Sequence, residues 1–212
     1  VNVVLFDFDG TIADSIETGI GVINQLAKEF GYQPIEVEDL QRLQNLSSRE
    51  IIKQTDISIF KLPFLMHRFI GEMQREVQQI EVIPGMKEAL QSLKARGDRL
   101  GIVSTNSEEN IRSFLKIQQL DPLFDFLICS RYPFGKSRLI KRILRQNQLD
   151  PRSTFYVGDE TRDIEAAKKS GVRAIAVTWG FNSPQVLAAY QPDFLIQTPA
   201  QLLEILAQPI RL

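Results

Sequence analysis

Asp7 and Asp9 stand two residues apart in the stretch VVLFDFDGTIADS, where an apolar run ends. Side chains at i and i+2 of a strand share a face, so the two carboxylates repel each other unless a ligand comes between them. Other polar residues sit at comparable places. Ser104-Thr105-Asn106-Ser107 closes the run LGIVS, Gly158-Asp159-Glu160-Thr161-Arg162-Asp163 follows TFYV, and Lys136 lies between FLIC and TFYV, just before a helical pattern. If these runs are parallel strands, their polar tails gather beyond the carboxyl ends, where open α/β sheets bind ligands. Asp7, Asp9, Asp159 and Asp163 then converge. Several carboxylates in one crevice need a cation, and hard oxygen donors at this density favour Mg²⁺, which takes few protein ligands and can hold a phosphate oxygen.

The remaining residue types suit phosphate. Thr105 offers a hydroxyl and Asn106 an amide near backbone N–H groups that open a helix, a place that favours anions. Lys136 offers an ammonium. Phosphoryl transfer needs an in-line nucleophile, neutralisation of the equatorial oxygens and a proton for the leaving oxygen. Asp7 can attack and form an aspartyl-phosphate. Asp9 can protonate the leaving alkoxide and then take a proton from the attacking water.

These residues need a scaffold to bring them together. Val3–Phe8, Leu100–Ser104, Phe126–Cys129, Thr154–Val157, Arg173–Val177 and Phe194–Ile196 read as strands, and their unbroken apolar runs suit strands buried on both faces. Helical patterns over Met86–Arg96, Ser107–Ile117, Ser137–Gln146, Asp163–Ser170 and Pro199–Ala207 alternate with them, which predicts an α/β fold with a Rossmann-like parallel sheet and helices on both faces. Ser15–Phe30, Leu40–Leu46, Ser48–Thr55 and Leu62–Ile80 break the alternation, with helical spacing and no strand. The spacing therefore predicts a core built from residues 1–14 and 82–212 and an α-helical insertion over 15–81. Ile12–Asp14 and Val82–Gly85 are the expected hinges.

Composition narrows the function classes. The chain has 212 residues, 43% hydrophobic and 24% charged, enough for a sizeable core. A formal net charge of −1, from 25 basic and 26 acidic side chains, gives no general attraction to nucleic acid or an anionic membrane. No apolar stretch approaches the ~20 residues that span a bilayer, and the first residues lack the pattern of a secretion signal. The single cysteine, Cys129, reads as a small buried hydrophobe, and His67, without metal-ligand neighbours, as a surface or packing residue. A cytoplasmic protein, monomeric or homodimeric, is expected.

The motifs DFDGT (7–11), STN (104–106), Lys136 before a helix and GDETRD (158–163) before EAAKKSGV resemble those of the haloacid dehalogenase superfamily of phosphohydrolases. The resemblance covers nearly the whole chain, and AVTWGFNS and PDFLIQTPAQLLEIL are similar to its phosphoglycolate phosphatase-like branch. It implies a Mg²⁺-dependent phosphatase acting on a small phosphate ester, with the helical insertion as a C1 cap. Asp7 would be nucleophile and metal ligand. Asp9 would be the acid/base and bind Mg²⁺ through its backbone carbonyl. Thr105, Asn106 and Lys136 would hold the phosphoryl group, and Asp159 and Asp163 would serve the metal. Where many relatives have Lys-Pro-x-Pro, this chain has Gly135-Lys136-Ser137-Arg138, which leaves Lys141 as the alternative lysine, and a shifted second motif would make Ser104 the hydroxyl donor. In the cap, QNLSSREII replaces a glycine-containing loop. Ser48 and Arg49 are candidate substrate contacts there, and Ser47 or Ser48 is equally a helix cap. Glu160 and Arg162 read as exposed loop charges. A β-phosphoglucomutase-like mutase is the rival enzyme. A receiver-type module is disfavoured because the strand that would carry its aspartate ends in Cys129-Ser130-Arg131, and a partner-binding protein because every catalytic residue type is present.

Overall fold

The computed structural model describes residues 1–54, 60–130 and 135–207, apart from the side chains of Ile52 and Leu62. Thr55 and Arg131, named above, lie outside the described residues. In chain order the elements are β1 (Val3–Phe6), β2 (Ala13–Asp14), α1 (Ile16–Phe30), α2 (Val37–Gln44), α3 (Ser48–Gln54), α4 (Leu62–Glu76), β3 (Glu81–Val82), α5 (Met86–Ala95), β4 (Arg99–Ser104), α6 (Glu108–Ile117), β5 (Phe126–Cys129), α7 (Lys136–Gln146), β6 (Thr154–Gly158), α8 (Thr161–Ser170), β7 (Arg173–Val177), α9 (Pro184–Ala189), β8 (Phe194–Ile196) and α10 (Ala200–Ala207).

Six strands form one sheet in the order β5-β4-β1-β6-β7-β8, and every pairing within it is parallel. From β1 the chain builds outward through β4 and β5, then returns to the other side of β1 for β6, β7 and β8. That is the strand order of doubly wound nucleotide-binding folds, and the reversal beside β1 opens a crevice at the carboxyl ends of β1, β4 and β6. The strands read as apolar runs because both faces are covered. Val4 and Phe6 pack with α5, α6 and α10 on one side, and Val3 and Leu5 pack with α7, α8 and α9 on the other.

Between β2 and β3 the described residues form four helices, α1 to α4. Gly31 ends α1 in the left-handed region at φ 76°, where its N–H reaches the Ala27 carbonyl. Two details depart from the sequence expectation. The first strand stops at Phe6, because residues 8–13 wind into a tight loop whose Thr11, Ile12 and Ala13 amides all turn back to the Phe8 carbonyl. The hinges are also less loose than expected: Ala13–Asp14 pairs antiparallel with Glu81–Val82, so both passages run through one short ribbon.

Candidate active site

The site grows from the tight loop after β1. Asp7 is buried; its N–H continues the sheet to the Val157 carbonyl at 2.8 Å, and its Oδ1 accepts from the Phe8 N–H at 2.7 Å. Gly10 turns the loop at φ 72°, and a Cβ there would lie 2.5 Å from Asp159 Oδ2. Only a residue without a side chain lets this loop approach Asp159 so closely. Thr11 Oγ1 donates to Asp159 Oδ1 at 2.8 Å, and the Phe181 N–H to Oδ2 at 2.8 Å. Asp9 is set apart from its neighbour. Its carboxylate accepts from Ser15 Oγ at 2.9 Å and from Asn106 Nδ2 at 3.1 Å. The two aspartates of the opening motif thus have separate environments.

Lys136, at the start of α7, is almost wholly buried, and its Nζ lies 2.5 Å from Asp7 Oδ2 and 2.6 Å from Asp163 Oδ1. Asp163 also accepts the Glu160 N–H at 3.1 Å and so closes the first turn of α8. Carboxylate oxygens of Asp7, Asp159 and Asp163 all fall within 4.8 Å of one another. Three buried carboxylates in such proximity form a hard-oxygen set that could hold a divalent cation. Asp9 contributes no carboxylate to this group. The alternative lysine, Lys141, is exposed on α7. Ser104 is fully buried with its hydroxyl accepting the Asn106 N–H at 3.0 Å, while Thr105 is half-buried at the strand end.

Burial shapes the electrostatics. It pushes the Asp7 carboxyl up, while Lys136 pulls it back. It raises Asp9 against the lowering hydrogen bonds of Ser15 and Asn106. Asp159 is raised well above its usual range by burial and by Glu160, Asp7 and Asp163, and Asp163 is raised to about 6 by burial despite Lys136. Burial opposes the Lys136 charge, but Asp163 and Asp7 outweigh it and hold the ammonium protonated. Burial is the largest cause in each carboxyl, and a divalent ion among them would favour their ionised form.

Glu160 and Arg162 are not the exposed loop charges that the sequence suggested. Each side chain is 19% exposed, and Arg162 Nη2 lies 2.5 Å from Glu160 Oε1. Burial opposes the charge on Glu160, but Arg162 and Lys136 hold its carboxyl below its usual value. Among the described residues, the buried Nε of Arg162 has no hydrogen-bond partner.

The helical insertion meets the core beside this loop. Ser47 caps α3 through a reciprocal pair with Glu50: Ser47 Oγ donates to Glu50 Oε2 at 2.6 Å, and the Glu50 N–H reaches Ser47 Oγ at 3.3 Å. Ser48 instead faces the core, its Oγ donating to Glu160 Oε2 at 2.9 Å. Arg49 pairs with Glu165 on α8 at 2.9 Å. Asn182, unmarked in the sequence, is buried and donates to the Gln44 and Leu46 carbonyls at 3.1 and 2.9 Å while accepting the Thr161 N–H at 3.0 Å. Trp179 Nε1 donates to the Thr11 carbonyl at 3.2 Å, which ties the loop after β7 to the loop after β1. Cys129 is half-buried, packs against the core and has its thiol pushed up to about 12 by burial, in keeping with an inert residue. Among the described residues, no helix is long and apolar enough to cross a membrane.

Known proteins resemble this chain in sequence and in fold. The family described as Haloacid dehalogenase-like hydrolase matches residues 4–177. The chain is 38% identical over 208 residues to a phosphoglycolate phosphatase from Synechococcus elongatus, covering 98% of each chain. It is 25% identical over 211 residues to the pyrophosphatase PpaX of Bacillus mycoides, again covering 98% of each. A haloacid dehalogenase-like family hydrolase from Streptococcus pneumoniae superimposes with a TM-score of 0.79 at 22% identity, over 97% of this chain and 98% of that one. The chain therefore belongs to the haloacid dehalogenase-like hydrolases, among the phosphatases of that family.

Proposed function

We propose that the protein is a Mg²⁺-dependent phosphatase that hydrolyses a small phosphomonoester through an aspartyl-phosphate on Asp7, with phosphoglycolate as the leading substrate. One observation carries the reading: the Lys136 ammonium is clasped between Asp7 and Asp163, beside the carboxylate of Asp159. A nucleophile, a cation for the equatorial oxygens and a metal-binding set thus share one crevice. The substrate preference rests on the 38% identity to the Synechococcus elongatus phosphoglycolate phosphatase.

Each residue then has a task. Asp7 attacks phosphorus, forming the Asp7–phosphorus bond as the bond to the leaving oxygen breaks. Asp9, whose burial favours the protonated form, gives its proton to that oxygen. Water then attacks the aspartyl-phosphate, Asp9 takes the water's proton, and phosphate leaves with Asp7 restored. Ser15 and Asn106 hold the Asp9 carboxyl in place. Lys136, Thr105 and Asn106 are assigned to the phosphoryl oxygens. Asp7, Asp159, Asp163 and the Asp9 backbone carbonyl are assigned to Mg²⁺, which when bound neutralises phosphoryl charge. Residues 15–81 act as a cap over the crevice, excluding bulk water during attack on phosphorus. Ser48 and Arg49, held on Glu160 and Glu165, belong to the closing surface of that cap.

The test is Asp7→Asn, assayed with Mg²⁺ on phosphoglycolate, inorganic pyrophosphate and an aryl phosphate. Hydrolysis of every substrate should fall at least ~1,000-fold, as expected when a nucleophile is removed, while thermal unfolding shows the fold retained. A variant that keeps a tenth of the wild-type rate rules out Asp7 as nucleophile. Wild-type preference for pyrophosphate would move the substrate assignment without touching the chemistry.

A further inference from the structure

Among the described residues, the insertion meets the core at two places: α4 lies against α6, where Asn110 Nδ2 donates to the Ile70 carbonyl at 3.0 Å, and a polar seam lies beside the active site. On the insertion the seam is the stretch from Gln44 to Arg49. On the core it is Glu160–Thr161 at the start of α8 and Asn182–Ser183 in the loop after β7. The centre of the seam is Asn182, which is only 1% exposed. Both donors of its amide are used on the insertion, at the Gln44 and Leu46 carbonyls, and its acceptor is used on the core, at the Thr161 N–H. Its own N–H reaches the Asp159 carbonyl at 3.2 Å. Ser183 extends the contact, its N–H to the Gln44 carbonyl at 2.9 Å and its Oγ to Asn45 Oδ1 at 2.7 Å. At the other end, Ser48 Oγ donates to Glu160 Oε2, whose second oxygen holds Arg162.

We propose that Asn182 is a positioning residue that latches the cap closed and ties closure to the loop bearing Asp159. This rests on the reading of residues 15–81 as a cap over a phosphatase site. The physical case lies in the amide. Two carbonyls on one element require two donors from a single short side chain, and the Thr161 N–H requires an acceptor on the same group. Aspartate has the shape but not the donors, and serine has one donor only. A buried polar group joining two moving parts is satisfied only while they are together. Opening the cap leaves the Asn182 amide and the two carbonyls to water, so closure at this seam is set by polar complementarity, while the apolar contact of the insertion with the core lies at α4 and α6. The same side chain holds the first amide of α8, between Asp159 and Asp163, so closure and the order of the carboxylate loop are linked through one group.

Amide hydrogen exchange of the substrate-free protein tests this. The Ser183 N–H bonds to the Gln44 carbonyl and the Ser48 N–H to Thr161 Oγ1, so both amides lose their partners when the seam parts. Asn182→Asp keeps an acceptor for Thr161 and removes both donors to the cap; Asn182→Ala removes all three bonds. Losing two hydrogen bonds should raise exchange at Ser48 and Ser183 about 10-fold or more in both variants, with β1 and β4 amides unchanged. Acceleration in Asn182→Ala alone means that Asn182 serves only the core loop, and it overturns the proposal, as does exchange within twofold of wild type in both. Ser48→Ala provides a second route should the Asn182 variants not fold. It should raise Ser183 exchange several-fold from the far end of the seam, and an unchanged Ser183 amide would show that the two ends do not part together. Because no substrate is present, an enzyme that failed on every phosphate ester would still answer the question.

Discussion

Lys136 is the charge that lets Asp7 and Asp163 coexist in the interior, 2.5 and 2.6 Å from its ammonium. Lys136→Met keeps the stem and removes the charge. Breaking a buried ion pair from one side costs about 3–5 kcal/mol, which for a chain of this size lowers Tm by roughly 10 °C. The pH dependence has a definite sign. Asp163 titrates at about 6 in the folded metal-free protein against 3.8 ordinarily, so its ionisation opposes folding as pH rises through that interval. Without Lys136 the opposition is larger. The Tm deficit of the variant in EDTA should therefore be greater at pH 7.5 than at pH 5, and equal deficits would mean that Lys136 acts through packing alone. At this scale much of the site was legible. Asp7, Asp159, Asp163 and Lys136 sit at strand ends or a helix start that the sequence marks, and they meet. The direction of the Asp9 carboxyl was not legible, because a strand period fixes a face and not a rotamer, and Ser15 and Asn106 turn it away from the other three. Glu160 and Arg162 were misjudged because charged residues in a loop look solvated until the opposing surface, here Ser48, is known.

Among the elements, the loop after β7 does more than join a strand to a helix. A Cβ added at Gly180 would stand 2.1 Å from the Asp159 Cβ. Gly180→Ala must therefore push Asp159 or the loop aside. The Mg²⁺ concentration for half-maximal activity should rise at least ~10-fold, in the range of supporting-residue substitutions at metal sites, while thermal stability in EDTA changes little. An unchanged metal requirement would separate Gly180 from the metal site. The six sheet strands were legible because strands covered on both faces write themselves as apolar runs. β2 and β3 were not. Each has two residues and pairs antiparallel with a partner far away in sequence, so neither leaves a periodic trace. The six-residue α9 is likewise too short for a helical period, although Ser183-Pro184 is a cap-and-first-turn signal that marks its start. Asn182 escaped notice for a related reason. Its three partners lie on the insertion and on α8, and a lone asparagine in a loop carries no pattern.

For the molecule as a whole, the site trades stability for charge density, and metal binding should reverse the trade. Burial raises the carboxyls of Asp7, Asp159 and Asp163, so the folded protein holds their protons to higher pH than the unfolded chain, and the metal-free fold weakens as they ionise. On the proposed reading, Mg²⁺ would bind only the deprotonated set. The rise in Tm on adding Mg²⁺ should be small near pH 4.5 and several degrees by pH 7.5. A rise of the same size at both would place the ion elsewhere. The short ribbon of Ala13–Asp14 on Glu81–Val82 carries a consequence of another kind. The insertion leaves and re-enters the sheet domain at adjacent points, like a bulb on a single socket. A change in its length is therefore taken up between those two points and leaves the spacing of the strands beneath as it is.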